Sequence, residues 1–428
     1  MKPETSGFDF FMKDYFPASF SFARMNNPRH IRIDDYDYHL PDHAIAAHPR
    51  PNRDDSRLMT CIQGNIIPDH FKDIAAYLKP GDHLILNETK VIPARLHFKK
   101  ETGTSIEIFC LQPFQLDHQQ AMERRDHVEW EVMIGGAKKW KEGILKVNVT
   151  LGSINLELCA ERTSSHPTAL TVNFSWSNPS ISFSEILSAA GELPLPPYFD
   201  RKAEAEDYER YQTVFAKFEG SVAAPTAGLH FTPAILDQLE QQSVSIKKLT
   251  LHVGSGTFKP VSASLLLEHE MHGEVFEVTP AFIHSLIFPS GRTIPVGTTC
   301  MRTIESLYWL GVKYLHTPEL FQNTVTLQQW EAYDLPQDVS REQALNGLLD
   351  YCKKFNLARL GGSTSLIIAP GYSLRVASGI ITNFHLPKST LILLVAAIIG
   401  EQWREVYAKA LEEEFFFLSY GDSSMLIP

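Results

Sequence analysis

The stretch TIPVGTTCMRTIESLYWLGV, residues 293–312, decides the fold class. A short apolar run, Thr293–Val296, meets Gly297 and two threonines, and apolar residues then recur at helical spacing as far as Val312. That pattern predicts a strand feeding a helix over Thr299–Val312. Met301, Ile304 and Tyr308 fall on a core face, while Arg302 lies in the first turn with Glu305 one turn further on. The same grammar repeats on either side. His83–Asn87 reads as a strand, and Phe71–Leu78 before it as an amphipathic stretch stopped by Lys79-Pro80-Gly81-Asp82. Ala234–Gln241 reads as a helix leading to a strand at Ser245–Val253. Ile380–Phe384 is a further strand, after which Ser389 can cap an apolar helix, Thr390–Gly400. Glu204–Val214 and Trp403–Phe416 also read as helices. Strands alternating with helices predict an α/β main domain with a parallel or mixed sheet.

Between Arg95 and Trp176 the grammar changes. Short alternating runs (Ser105–Phe109, Val128–Ile134, Ile144–Leu151, Ile154–Cys159, Ala169–Phe174) are separated by polar or Gly-containing turns. Such spacing predicts a small all-β, barrel-like domain. Because α/β grammar resumes afterwards, residues 95–176 are expected to be an insertion in a main domain made of 30–94 and 177–428. Residues 1–29 mix aromatics with Gly, Pro and Ser at no clean period, and are expected to form an N-terminal extension.

Composition narrows the function classes. The chain has 428 residues, 44% of them apolar, enough for a core that holds a buried pocket. Its net charge of −11 gives no global support to nucleic-acid binding, so such a partner would need a local basic face. Candidates are Lys99-Lys100, Lys138-Lys139 with Lys141, and Arg201-Lys202, although lysines also protect strand edges. Five scattered cysteines without a Cys-x-x-Cys pair fit a reducing compartment. The longest apolar run, Leu391–Ile399, is too short for a membrane span of about 20 residues. A cytoplasmic protein is expected.

Four loops are alike in placing Gly, Thr, His or Asn beside an apolar, strand-like run. They are Ser221–Phe231, Thr250–Pro260, Pro295–Ser306 and Thr382–Leu391. Small side chains and Gly let backbone approach a ligand closely, and the four are expected to wall one pocket. The Gly297-Thr298-Thr299 junction offers free N–H groups and a positive helix end, a seat for a carboxylate or phosphate. Gly254-x-Gly256 follows a strand, but Lys259 and Pro260 spoil a dinucleotide fingerprint, so it reads as a tight turn. His230, His252, His272 and His385 supply candidates for proton transfer. Glu268–His272 lacks the His-Glu-x-x-His spacing of a zinc helix.

These motifs resemble the S-adenosylmethionine:tRNA ribosyltransferase-isomerase family of queuosine biosynthesis. The resemblance rests on AAPTAGLHF (223–231), TLHVGSGTFKPV (250–261), VGTTCMRTIES (296–306) and TNFHLPKSTL (382–391). NETKVIPARL (87–96), LPLPPY (193–198) and SYGD (419–422) extend it. It implies transfer and isomerisation of the ribosyl part of S-adenosylmethionine onto 7-aminomethyl-7-deazaguanine at the tRNA wobble position. Epoxyqueuosine-tRNA, adenine and methionine would be the products. A base would take a proton from the carbon beside the sulfonium, adenine would leave, the exocyclic amine would attack, and methionine would depart as the epoxide closes. The sulfonium supplies the activation, so no metal is expected. On this resemblance His230 or His252 is the base. Gly297, Thr298 and Arg302, with Glu305 alongside, hold the methionine carboxylate or a tRNA phosphate. Thr226, Asn383 and His385 contact ribose or base, with Gly228, Gly254 and Gly256 lining the pocket. The partner is tRNA, and a monomer is favoured. Gly273 and Cys300-Met301 depart from the family pattern. Two other readings stay open: a transferase with another acceptor, or a non-catalytic nucleotide- or RNA-binding relative.

Overall fold

Three separated segments, Met1–Glu88, Pro225–Leu251 and Phe258–Pro428, build one unit of the structure; Thr89–Ala224 with His252–Thr257 builds another. The computed structural model describes residues 27–165, 170–254, 263–321 and 325–428.

The first unit is mixed α/β. One sheet has the strand order Thr293–Pro295, His83–Asn87, Ser245–His252, Glu274–Val278, Leu360–Thr364, Val325–Leu327. Its strand His83–Asn87 is buried at every position, as befits a strand with parallel partners on both sides. A second sheet runs Ile380–Asn383, Ser423–Ile427, Arg57–Ile62, Asn65–His70. An isolated parallel bridge, Val296 to Ile381, links the two.

The predicted central helix spans Thr298–His316 and is buried from Thr298 through Val312, so it is a core helix without a solvent face along that length. It packs on the helix Arg341–Lys354, and Gly311 makes the close approach possible. A Cβ at 311 would lie 1.9 Å from the carbonyl oxygen of Ala344. Gly311→Ala is therefore expected to cost about 3 kcal/mol or more, because two helices must move apart. Calorimetry should show a clearly lowered Tm, and an unchanged Tm would contradict this packing.

Two helical expectations change. Only Asp207–Arg210 of the expected helix 204–214 is helical, in the second unit. There the buried Asp207 carboxylate accepts two bonds from Arg201 (2.6 and 2.8 Å) and one from the Glu204 N–H (2.8 Å), and this turn overrides helix propensity. The last helix stops at Glu412 rather than running to Phe416, since Glu414 turns left-handed with φ 56°. Phe71–Ala76 forms a 3₁₀ helix. Of the expected N-terminal extension, residues 1–26 lie outside the described residues. Arg29 within it is anchored by an ion pair to Asp334 (2.6 Å) and lies over the Trp330 ring.

The second unit is built on a seven-stranded sheet. Its order is Gly191–Glu192, Arg95–Lys99, Ser105–Pro113, His127–Gly135, Leu170–Trp176, Ile154–Ser165, Leu145–Leu151. Every pairing is antiparallel. The sheet curls until Arg95–Lys99 meets Leu145–Leu151, a half-barrel around Phe98, Trp130, Phe174 and Phe183. Alternation along the strands puts the strand-borne rings inside, each contributing about 2–3 kcal/mol by burial. Ser182 caps the helix Phe183–Ala190 that plugs this core. No helix among the described residues is long and apolar enough to cross a membrane.

Candidate functional site

In the first unit, the strand Ser245–His252 (as far as Leu251), His83–Asn87, Thr293–Pro295 and Ile380–Asn383 lie side by side and point the same way. Their C-terminal ends share one edge, where open α/β sheets hold their ligands. Three of the four motif loops meet there. Gly297 donates its N–H to the Ile381 carbonyl (2.8 Å), and its φ of 89° suits glycine. A Cβ built on Gly297 would stand 3.7 Å from the Cβ of Ala227 and 3.7 Å from Oγ1 of Thr299. Thus the turn Thr226–Gly228 lies against the start of the central helix. His230, two residues beyond that turn, places Nε2 3.3 Å from Nδ2 of Asn383. Of the fourth loop, Thr250–Leu251 closes a strand in this unit, where the Asn87 amide clamps both backbone groups of Leu251 (2.9 and 3.0 Å). Gly256 lies outside the described residues.

Two buried polar atoms at this edge have no hydrogen-bond partner among the described residues: Oγ1 of Thr299 and Oδ1 of Asn383. Leaving such atoms unpaired costs about 1–3 kcal/mol each, a cost that a polar ligand would remove. Thr299 thereby joins Gly297 and Thr298, its neighbours at the strand-to-helix junction, as a candidate contact. Gly297 gives the helix no side-chain cap, so its first-turn N–H groups need other partners.

The histidines here are neutral near pH 7. Burial pulls His230 down to about 4, with nearby Arg50 and Arg53 acting in the same sense and the Asn383 contact opposing them. With Nδ2 of Asn383 donating to Nε2, the ring proton belongs on Nδ1. His230 also packs on Phe71, with centroids 5.1 Å apart. Burial takes His385 to about 3. Its Nε2 meets Thr382 Oγ1 (3.1 Å), its carbonyl accepts from the Tyr38 hydroxyl (2.5 Å), and its N–H donates to Tyr407 (3.2 Å). These bonds make His385 a keystone of the loop. His272 is exposed, away from this burial pattern.

Arg302 and Glu305 are buried and do not form the exposed helix pair that their spacing allows. The Arg302 guanidinium pairs with Glu274 and donates to the carbonyls of Leu366 (2.9 Å) and Thr364 (3.2 Å). Glu305 accepts from the Tyr372 hydroxyl and from the N–H groups of Arg375, Val376 and Ala377, all at 2.8 Å. Burial pushes the Glu305 carboxyl up, and these four donors counter it. Both side chains are consumed in bracing the helix. Asp422 of the SYGD motif is likewise internal, accepting from Arg50 (2.9 and 3.0 Å) and from the N–H groups of Arg57 (2.7 Å) and Phe416 (2.8 Å).

In the second unit, His252 is held on three sides. Thr89 Oγ1 lies 3.0 Å from its Nδ1, and the His118 ring stacks on it with centroids 4.0 Å apart and planes 30° apart. Gly220 leaves room for both rings, since a Cβ there would fall 2.6 Å from His118 and 2.7 Å from His252. Burial drives His252 down to about 4 and His118 well below its ordinary value, the second ring adding to the effect on His118. Nε2 of His252 has no hydrogen-bond partner among the described residues, so a neutral imidazole can present a lone pair there. Sequence pattern alone misses His118. It opens the short helix His118–Glu123 behind an Asp117 cap, far along the chain from His252, with no motif around it. Gly254 closely follows this strand end.

Over residues 33–427 the chain matches the family described as queuosine biosynthesis protein. A crystal structure of an S-adenosylmethionine tRNA ribosyltransferase from Thermotoga maritima is 25% identical. The match covers 92% of this chain and 99% of that one, with a TM-score of 0.43.

Proposed function

The chain belongs to the queuosine biosynthesis protein family, and on that premise we propose that it is a transferase-isomerase of cytoplasmic tRNA. It moves the ribosyl part of S-adenosylmethionine onto 7-aminomethyl-7-deazaguanine at the wobble position, giving epoxyqueuosine-tRNA, adenine and methionine. The observation that carries this reading is the family match over nearly the whole chain. The strand-edge loops with their unpaired Thr299 and Asn383 oxygens support it as a polar ligand site.

Each residue then has a distinct task. Gly297, Thr298 and Thr299 receive the donor's carboxylate at the helix start, where N–H groups and the helix dipole favour an anion. Arg302 and Glu305 position that helix rather than touching substrate. Asn383 offers Oδ1 to a ribose or base donor, and Thr226 and Gly228 form the turn against it. His252 is the favoured base, because its Nδ1 is tied to Thr89 and its Nε2 has no hydrogen-bond partner among the described residues. His230 is the second candidate, with Nε2 already in contact with Asn383. A neutral imidazole is the form needed to remove a proton made acidic by the adjacent sulfonium.

Isotope tracing tests the reaction. With precursor tRNA present, label in the ribose of S-adenosylmethionine should enter tRNA, and methyl label should emerge as methionine. Methyl label entering tRNA would replace this reading with methyl transfer.

A further inference from the structure

The basic clusters of the curled β-sheet unit have no part in the chemistry above, and the fold brings two of them together. Lys99 ends one strand and Lys100 follows it, while Lys138, Lys139 and Lys141 lie on a loop some forty residues later. The Lys100 ammonium donates to the Lys139 carbonyl at 2.9 Å, joining the segments.

The loop is built rather than loose. Gly136 turns left-handed at φ 78°, and the Lys139 N–H closes a turn onto its carbonyl (2.8 Å). Trp140 is fully buried, its indole N–H bonded to the Gly143 carbonyl (2.9 Å), and Arg162 grips the Trp140 carbonyl (2.7 Å). The flanking Lys138, Lys139 and Lys141 are surface residues, as is Lys99. None of the five lysines forms an ion pair among the described residues. Of the acidic neighbours, Glu101 and Glu142 are exposed beside the patch, and Glu157 is engaged by Lys146 (2.8 Å). Protection of a strand edge explains Lys99 but not three lysines on an anchored loop.

We propose that this patch, Lys99, Lys100, Lys138, Lys139 and Lys141, is a docking surface for the phosphate backbone of tRNA. The proposal rests on the tRNA reading given above. A chain carrying −11 overall repels a polyanion except where positive charge is gathered, so a fixed local cluster decides where RNA lands.

The test replaces Lys138, Lys139 and Lys141 together by Gln, and separately by Arg, keeping Lys100 because it ties the loop. Binding of precursor tRNA is measured from low to physiological salt, with the Tm as a check of folding. The Gln variant should bind about tenfold more weakly at low salt, and its log Kd against log salt should be shallower by about 2, somewhat under one for each lost phosphate contact. The Arg variant should bind as the parent does. An unchanged Kd and slope in the Gln variant would overturn the patch, and so would a loss that Arg fails to restore. Parent protein that binds tRNA without salt dependence would end the patch but not the chemistry. Failure of the isotope tracing with tRNA binding intact would do the reverse.

Discussion

Replacing His252 by Ala is expected to slow adenine release by about 100- to 10,000-fold, the usual loss when a positioned base is removed. The KM for S-adenosylmethionine should move far less, because the ring's task lies in the transition state. Its surroundings explain the size of the effect. Thr89 fixes one nitrogen, His118 covers one face, and Gly220 leaves space for both rings. Single-turnover assays at saturating substrates separate this from weaker binding. His230→Ala should cost less, since its Nε2 already contacts Asn383. If both variants turned over like the parent, neither histidine would be the base. The pH profile offers a further check. A base whose conjugate acid has a pKa of about 4 stays competent at neutral and mildly acidic pH, so no acidic limb from this group should appear there.

Acid lability is the second large effect. His230, His252 and His385 are held at about 4, 4 and 3, against 6.5 in an unfolded chain. A depressed folded pKa means that the native state binds fewer protons than the unfolded state. Stability is therefore fully present above about pH 6.5 and is lost as pH falls towards the folded values. At about 1.4 kcal/mol per unit, the three together approach the whole stability of a typical domain, about 5–15 kcal/mol. Asp35, Glu305 and Asp422 are raised by burial and act in the opposite sense, but His118, His83 and His269 are lowered by burial as well and add to the loss. The Tm should fall steadily from about pH 7 to about pH 5, with unfolding before about pH 4. A Tm that stayed level over that whole range would show that these rings are not buried neutral.

Local pattern made much of the α/β grammar legible. The helix after Gly297, the His83–Asn87 strand and the Ser389 cap all follow from periodicity and end signals, and the structure has them within a few residues. The antiparallel sheet was readable from its short alternating runs. Ser423–Ile427 was not, because it opens on two serines and only Met425–Ile427 are apolar, too short a run to signal a strand. Expected helix 204–214 failed because a buried Arg201–Asp207 pair outweighs propensity. At the candidate site, the small-residue composition of the loops marked the strand edge before any strand order was known. Side-chain partners were another matter. Spacing placed Glu305 on the same face as Arg302, whereas Glu274 and Tyr372 take those two side chains from elsewhere in the chain. His118 had no signal at all, since stacking is decided by tertiary contact alone.

The most direct measurement is adenine release from S-adenosylmethionine by the full chain, with and without tRNA carrying 7-aminomethyl-7-deazaguanine. Release only in the presence of that tRNA, one adenine for each base modified, is the result expected of a ribosyl transfer to tRNA. Tight binding of S-adenosylmethionine with no adenine released on adding the precursor tRNA would contradict it.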